Sequence, residues 1–300
     1  MNTLFSSVCR HFTLGNLTKP PELFSNSLLH TLWRFDTSHG HFILKQFQLA
    51  ESTISTLQQT QTIARHFFQI GIPTKPALIL EDNPIFECNN HAYLVFPWLE
   101  GDNLIYAQLK SIHSKRMAKL LSDIHSATIT FPDAPPVEAY KIDLQDWAAY
   151  GKEAWLIELN AHCLSACAIE PSDSVISHRD LTLANILWQG EECHIIDWDW
   201  AGKISRTQDV LATALNLSLM ESGQIDMNLF HSFIDSYAMP LVADEIEPGF
   251  YRVLANWLNW AMLNFKLSNL IIAEYSLNAV KLTFHHRQEI IDYVSMPLRV

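Results

Sequence analysis

Glycine and proline are scarce in this chain, 9 and 13 among 300 residues, which excludes a collagen-like or low-complexity polymer. Cysteine is scarce as well. Cys9, Cys88, Cys163, Cys167 and Cys193 are odd in number and follow no regular spacing. A disulfide scaffold is therefore excluded, and reduced thiols in a cytoplasmic setting are expected. Cys163 and Cys167 lie four apart in a helical stretch, but no second ligand pair accompanies them, and they read as small buried hydrophobes rather than a zinc site. No run of about 18 uninterrupted apolar residues occurs, so no membrane span is expected. The opening MNTLFSSVCRHFTLGNL lacks an early basic cluster and a long apolar stretch, and does not read as a signal peptide. Positive charge is in short supply: 20 Lys and Arg face 32 Asp and Glu, for a net charge of −12. Nucleic acid binding rests on neutralising phosphates with Lys and Arg, so such a chain is a poor partner for it. Cationic or zwitterionic ligands suit it better, although net charge speaks mainly of solubility and steering.

What is present is a large apolar fraction, 48%, enough for a sizeable core, on a length that accommodates two lobes. No internal repeat is visible. The first third alternates short β-rich runs with one helix. HTLWRFDT and HFILKQF flank the turn cluster Thr37-Ser38-His39-Gly40 and read as a hairpin. A helix is expected from about Ala50 to Ile70, ended by Gly71-Ile72-Pro73. PALILED and HAYLVFPW read as two further strands around Glu87-Cys88-Asn89-Asn90. From Gly101 onward the apolar spacing turns helical, as in SKRMAKLLSDIH, DWAAYGKEAWLIELNAH, DVLATALNLSLM, MNLFHSFIDSYA, FYRVLANWLNWAMLNFKL and a last helix near Arg287 to Val294. Phe131 to Val137 carries three prolines and reads as a loop. The pattern is α+β, a β-rich part followed by a helical part. The boundary is expected near Pro97 to Gly101, dividing residues 1–98 from 99–300.

One stretch interrupts the helical half: SVISHRDLTLANILWQGEECHIIDWDWAG, with two short β segments, NILW and HIIDW, around Gly190. It places Asp180, Asn185 and Asp197 near one another. Five residues from Asp180 to Asn185 make a short loop that can turn both side chains to one point. A hairpin between NILW and HIIDW would bring Asn185 and Asp197 together at its open end. Phosphoryl transfer needs such a set. Its transition state is loose, so the protein positions a nucleophile and neutralises charge around a metal. Asp180 fits the carboxylate facing the incoming hydroxyl. Asn185 and Asp197 supply hard oxygens for Mg²⁺, which takes few protein ligands and keeps several waters.

HRDLTLAN followed by IIDWDWA resembles the aminoglycoside phosphotransferase and choline kinase superfamily, the small-molecule branch of the protein-kinase-like fold. The resemblance extends over most of the chain. It implies a bilobal fold with a small β-rich nucleotide-binding lobe and a larger, mainly helical catalytic lobe, and it implies ATP and Mg as cofactors. Phe42-Ile43-Leu44-Lys45 resembles the strand whose lysine holds the α- and β-phosphates. Tyr93 to Gly101 is similar to the hinge that grips adenine. With Phe96 as gatekeeper, the Pro97 carbonyl and the Leu99 N–H would meet the base, and Pro97 is compatible because its position needs only a carbonyl. Leu187 matches the apolar residue beneath adenine, and Ile196 counts with it among the nucleotide-binding residues. Ile70-Gly71-Ile72-Pro73 matches the turn after the first helix of the family. Leu120 to His125 matches a helix whose His125 reads as a helix–loop hydrogen bond, and Asp209 also follows the family pattern. His178 reads as structural. Asp199 has three readings: a second metal ligand, a substrate contact or a local cap.

Two features depart from that pattern. The family's glycine-bearing loop corresponds to Leu23 to Leu28, which has no glycine, leaving Ser25 and Ser27 as possible donors. The acid that normally pairs with the strand lysine would fall in Gln58-Gln59-Thr60-Gln61, where there is none. A neutral hydrogen bond to Lys45 is weaker than a charge-assisted one, so modest ATP affinity is expected. About a dozen residues separate Asp197 from the helix near Asp209, too few for a peptide-binding activation segment. The acceptor is then a small hydroxyl compound, with Trp200, Trp257 and Trp260 as possible aromatic walls for a cationic group. Trp257 and Trp260, three apart on one helix face, more often belong to a helix core. The alternative is a pseudokinase, a nucleotide-binding or scaffold protein on the same fold.

Overall fold

The computed structural model describes residues 2–26, 30–127, 129, 131–137, 140 and 153–296. They form two compact units. The first comprises Met1–Asn103, Phe131–Pro135 and Asn185–Gly202; the second comprises Leu104–Thr130, Pro136–Ala184 and Lys203–Val300.

In the first unit, five antiparallel strands lie in the order β1-β2-β3-β5-β4: β1 (Glu22–Asn26), β2 (Thr31–Thr37), β3 (Gly40–Gln48), β4 (Phe86–Cys88) and β5 (His91–Pro97). The β2–β3 hairpin is where the turn cluster placed it. Thr37 Oγ1 accepts the His39 N–H at 3.1 Å, and Gly40 takes φ +143°, open to glycine. Period-two alternation sorts the sheet into two faces. Phe35, Phe42, Leu44, Tyr93 and Val95 meet Phe5, Val8 and Cys9 of α1 (Asn2–His11) on one face. Phe47, Ala92 and Leu94 meet Leu57 of α2 (Glu51–Gln69) on the other. Lys45 pairs with Leu94 across β3 and β5 and lies on this second face.

Two expectations need correction. PALILED is not a strand. After Leu78 donates to the Val95 carbonyl at 2.8 Å, Glu81 and Asp82 adopt left-handed φ of 51° and 65° and turn the chain away. The hairpin partner of β5 is β4, joined to it through left-handed Asn89 and Asn90, a pair that favours a tight hairpin turn. The glycine-free segment is mostly strand: β1 runs to Asn26, with a bulge between Leu23 and Ser25. Ser27 and Leu28 lie outside the described residues.

A second hairpin in this unit, β7 (Ile186–Gln189) and β8 (Glu192–Ile195), is anchored to the segment after β5. Asp102 and Trp188 exchange backbone hydrogen bonds of 2.9 Å. Gly101 makes this approach possible: a Cβ there would stand 3.0 Å from the Trp188 carbonyl at a φ of +141°.

The second unit holds α3 (Ser111–Ser126), α4 (Ala154–Cys167), α5 (Arg206–Ser218), α6 (Met227–Ile234), α7 (Ala243–Lys266), α8 (Leu270–His285) and α9 (Arg287–Ser295). The expected helix over DWAAYGKEAWLIELNAH begins with residues 146–152, which lie outside the described residues. A short ladder pairs β6 (Ser174–Ser177) with β9 (Gly202–Ser205). The entry to α5 is capped twice: Ser205 Oγ accepts the Gln208 N–H, and Asp173 accepts the N–H of Thr207. α7 packs on α4, α5 and α8. At its start Glu245 is buried, accepting from the Ser172 N–H at 2.7 Å and from Arg252 at 2.8 Å. Among the described residues, no helix is long and apolar enough to cross a membrane.

Candidate functional site

In the first unit, the fold brings Lys45 and the loop after β8 together across 152 residues of sequence. Lys45 Nζ donates to Asp197 Oδ1 at 2.7 Å and lies 2.6 Å from Asp199 Oδ2. The lysine side chain is 4% exposed, Asp197 28% and Asp199 16%. Burial works against the Lys45 ammonium, but Asp199 and Asp197 outweigh it and hold its pKa above the usual lysine value. Burial pushes the Asp199 carboxyl above the usual carboxylate range, against the pull of Lys45. Asp199 Oδ1 is buried and has no hydrogen-bond partner among the described residues.

The loop has a defined shape. Asp197 takes φ 62°, ψ 65°, and a one-turn helix over Trp198–Trp200 follows. A left-handed non-glycine residue carries strain of about 1–3 kcal/mol that its surroundings must hold. Trp198 does much of the holding. It is buried, stacks on Phe67 of α2 at 5.1 Å, and donates its indole N–H to Thr74 Oγ1 at 2.8 Å. Asn185 sits at the open end of the β7–β8 hairpin, its carbonyl accepting the Ile196 N–H at 3.0 Å. Asn185 and Asp197 thus flank that end, Asp197 directly following the residue that bonds the Asn185 carbonyl. Among the described residues, no cluster of three or more His, Cys, Asp or Glu could hold a metal. The donors that sequence reading assigns to a metal, the Asn185 amide and the Asp197 carboxylate, would suit an ion that brings most of its own ligands.

The remaining nucleotide-side candidates lie in the same unit. Phe96 pairs with Ile43 and shares the Lys45 face of the sheet, while Pro97 pairs with Phe42. The Trp98 N–H bonds the His41 carbonyl at 2.9 Å. Bonded and unbonded pairs alternate in an antiparallel ladder, so the Pro97 carbonyl points away from β3. Leu99 donates its N–H to no group among the described residues. Leu187, opposite His194 in the hairpin, and Ile196 are both half-buried. Trp200 is 42% exposed.

Asp180 belongs to the second unit. His178 is fully buried, and its Nδ1 accepts the Asp180 N–H at 3.3 Å, so the histidine organises the loop. Arg179 between them has φ 68° and donates to the Lys203 carbonyl. Asp180, expected as the base, follows a left-handed residue, and Asp197, expected as a metal ligand, is itself left-handed. His125 bonds Asp209 at 3.0 Å and the Tyr237 hydroxyl at 2.7 Å, tying α3 to α5 and to the residues after α6. Trp257 is half-buried on α7, and Trp260 is 45% exposed.

A model of the phosphotransferase enzyme family matches residues 22–243, well over half of the chain. The chain belongs to that family. No curated protein sequence matches this phosphotransferase. Among solved structures it is similar to a spectinomycin phosphotransferase in complex with ADP and spectinomycin, with a TM-score of 0.70 and 15% identity over 95% of this chain and 98% of that one. An amicoumacin kinase in complex with AMP-PNP and Ca²⁺ gives 0.67 and 14% over 96% and 93%. A choline/ethanolamine kinase family protein from Mesorhizobium loti gives 0.64 and 15% over 99% and 100%. At such identity the likeness carries the fold, and the expected α+β, kinase-like architecture holds. The small-molecule kinase class expected from the motifs stands with the family membership.

Sequence reading of this phosphotransferase missed three features of the site. Trp198 was not singled out; its place between Asp197 and Asp199 was the available signal. None of the three readings that the sequence offers for Asp199 is an ion pair with Lys45. His30 was not considered, although it lies close enough to the site for its charge state to feel both partners. Burial and the nearby Lys45 push its pKa down to about 4, against Asp197.

Proposed function

We propose that this phosphotransferase moves the γ-phosphate of ATP, with Mg²⁺, to a hydroxyl of a small, amine-bearing or aminoglycoside-like acceptor. The observation that carries the reading is the ion pair between Lys45 and Asp197: sequence reading assigns one to the phosphates and the other to the metal. Lys45 neutralises the α- and β-phosphates. The Pro97 carbonyl and Leu99 N–H meet the adenine edge, between Phe96, Leu187 and Ile196. Asn185 and Asp197 hold Mg²⁺, which when bound neutralises charge on the phosphate oxygens. Asp180 accepts the acceptor's hydroxyl proton as its oxygen bonds phosphorus and the bridging bond to the leaving diphosphate breaks. Asp180 precedes Asn185 by five residues, a span of at most about 18 Å.

The nucleotide is assigned to residues 1–98 together with the loop from Asn185 to Asp199, and the acceptor to residues 99–300. A net charge of −12 supports a cationic or zwitterionic acceptor, with the exposed Trp260, half-buried Trp257 and Trp200 as candidate contacts. The setting we assign is the cytoplasm, in keeping with free thiols at all five cysteines.

Calorimetry with Mg·ATP, followed by ATP turnover across a panel of amines and alcohols, tests the reading. Asp180→Asn is expected to lower transfer by roughly a thousandfold, within the range for a lost general base, while nucleotide affinity stays within about threefold. Normal transfer by that variant would remove Asp180 from the mechanism. The missing acid in α2 favours a second reading, a nucleotide-binding pseudokinase. Tight Mg·ATP binding without turnover on any acceptor would select it.

A further inference from the structure

Lys45 is almost fully buried, and a buried ammonium is tolerated only beside an anion. In α2 the one acidic residue is Glu51, at the helix's first position. Among the described residues the carboxylates in contact with Lys45 are those of Asp197 and Asp199. The nucleotide reading above, on which this inference rests, commits Asp197 to the metal. A carboxylate turned toward a divalent cation loses much of its hold on a neighbouring ammonium. Asp199 then remains as the standing counter-charge of Lys45.

The surroundings of Asp199 suit that duty. It is more buried than Asp197 and approaches Lys45 through Oδ2 at 2.6 Å. A second metal ion on its free Oδ1 would lie on the same carboxylate as the ammonium, where like charges repel. Its backbone is held in place by the preceding residue. Trp198 is clamped between Phe67 of α2 and the Thr74 hydroxyl. The helix that lacks an acid at Gln58 to Gln61 therefore reaches the lysine through an aromatic stack, one residue from Asp199.

We propose that Asp199 is the positioning residue for Lys45 during nucleotide binding, replacing the acid absent from the Gln58–Gln61 turn of α2, and that the Phe67–Trp198 stack couples α2 to it.

The test is a double-mutant cycle on Mg·AMP-PNP affinity, measured by calorimetry, with circular dichroism confirming the fold of each variant. Asp199→Asn is expected to weaken affinity at least tenfold, with the Mg²⁺ concentration for half-saturation moving less than twofold. Placed on Lys45→Met, the same substitution should cost less than twofold, because the group it positions is gone. Asp199→Ser runs through the same cycle in case the asparagine variant does not fold. Unchanged affinity, an undiminished loss on the Lys45→Met background, or a Mg²⁺ requirement shifted as strongly as the affinity would each overturn the proposal. The last result would return Asp199 to the metal. Failure of the wild-type protein to bind Mg·AMP-PNP is a different outcome: it would remove the nucleotide reading itself and this inference with it.

Discussion

Glu245 and Arg252 illustrate how single residues hold the second unit. The carboxylate accepts from the Ser172 N–H and hydroxyl and from Arg252, whose other nitrogens donate to the carbonyls of Ala166 and Ile169. Burial alone would raise the Glu245 pKa, but the Ser172 and Arg252 bonds outweigh it and hold it below the ordinary 4.5. Removing the charge leaves a buried guanidinium short of an anion. Glu245→Gln is therefore expected to cost about 3 kcal/mol at neutral pH, measured by denaturant unfolding. The sign with pH follows from the lowered value. The contribution is fully present above the ordinary carboxylate range and disappears as pH falls through the folded value. The gap between wild type and variant should then narrow below about pH 4.5. A gap independent of pH would mean that packing, not charge, stabilises this corner.

Among the elements, the β7–β8 hairpin has the strictest seat. It carries Asn185 at one end and Leu187 along its length, and it is docked on the chain leaving β5 through the Asp102–Trp188 bonds. Gly101 stands directly over that junction. Its φ of +141° is costly for any residue with a Cβ, and the Cβ would also meet the Trp188 carbonyl at 3.0 Å and Leu187 at 3.2 Å. Gly101→Ala is expected to destabilise by about 2 kcal/mol. It should also weaken nucleotide binding, because the displaced hairpin carries Asn185 and Leu187. Loss of stability with unchanged nucleotide affinity would uncouple the hairpin from the site.

On the scale of the whole chain, the family match covers residues 22–243. It leaves out α1, which covers one face of the sheet, all of α7 but its first residue, and α8 and α9. A ligand that binds only the folded state stabilises by mass action, by about 2.7 kcal/mol at a hundred times its dissociation constant. Mg·ATP at that excess should raise the thermal midpoint of the wild type. Asp197→Ala should abolish the rise, since it removes both the metal oxygen and a partner of Lys45. Equal stabilisation of both proteins would place the nucleotide elsewhere.

Much of this was open to reading along the chain because it depends on local chemistry. Alternating apolar residues around Thr37 to Gly40 specify the β2–β3 hairpin, and Gly71 with Pro73 ends α2 where the periodicity stops. Asn185 and Asp197 flank a hairpin that the two short β segments around Gly190 already announce, so their pairing is nearly a local property. Other features were settled by packing. PALILED has the composition of a strand, but left-handed Glu81 and Asp82 end its pairing after one bond. α1, with Phe5, Val8 and Cys9 buried, is a helix because the sheet offers it an apolar face. The partner of Lys45 depends on contacts between residues 152 and 154 positions apart, between which no sequence period exists. Local backbone preferences could announce the loop that carries Asp199; only the folded chain could bring that carboxylate to a buried lysine.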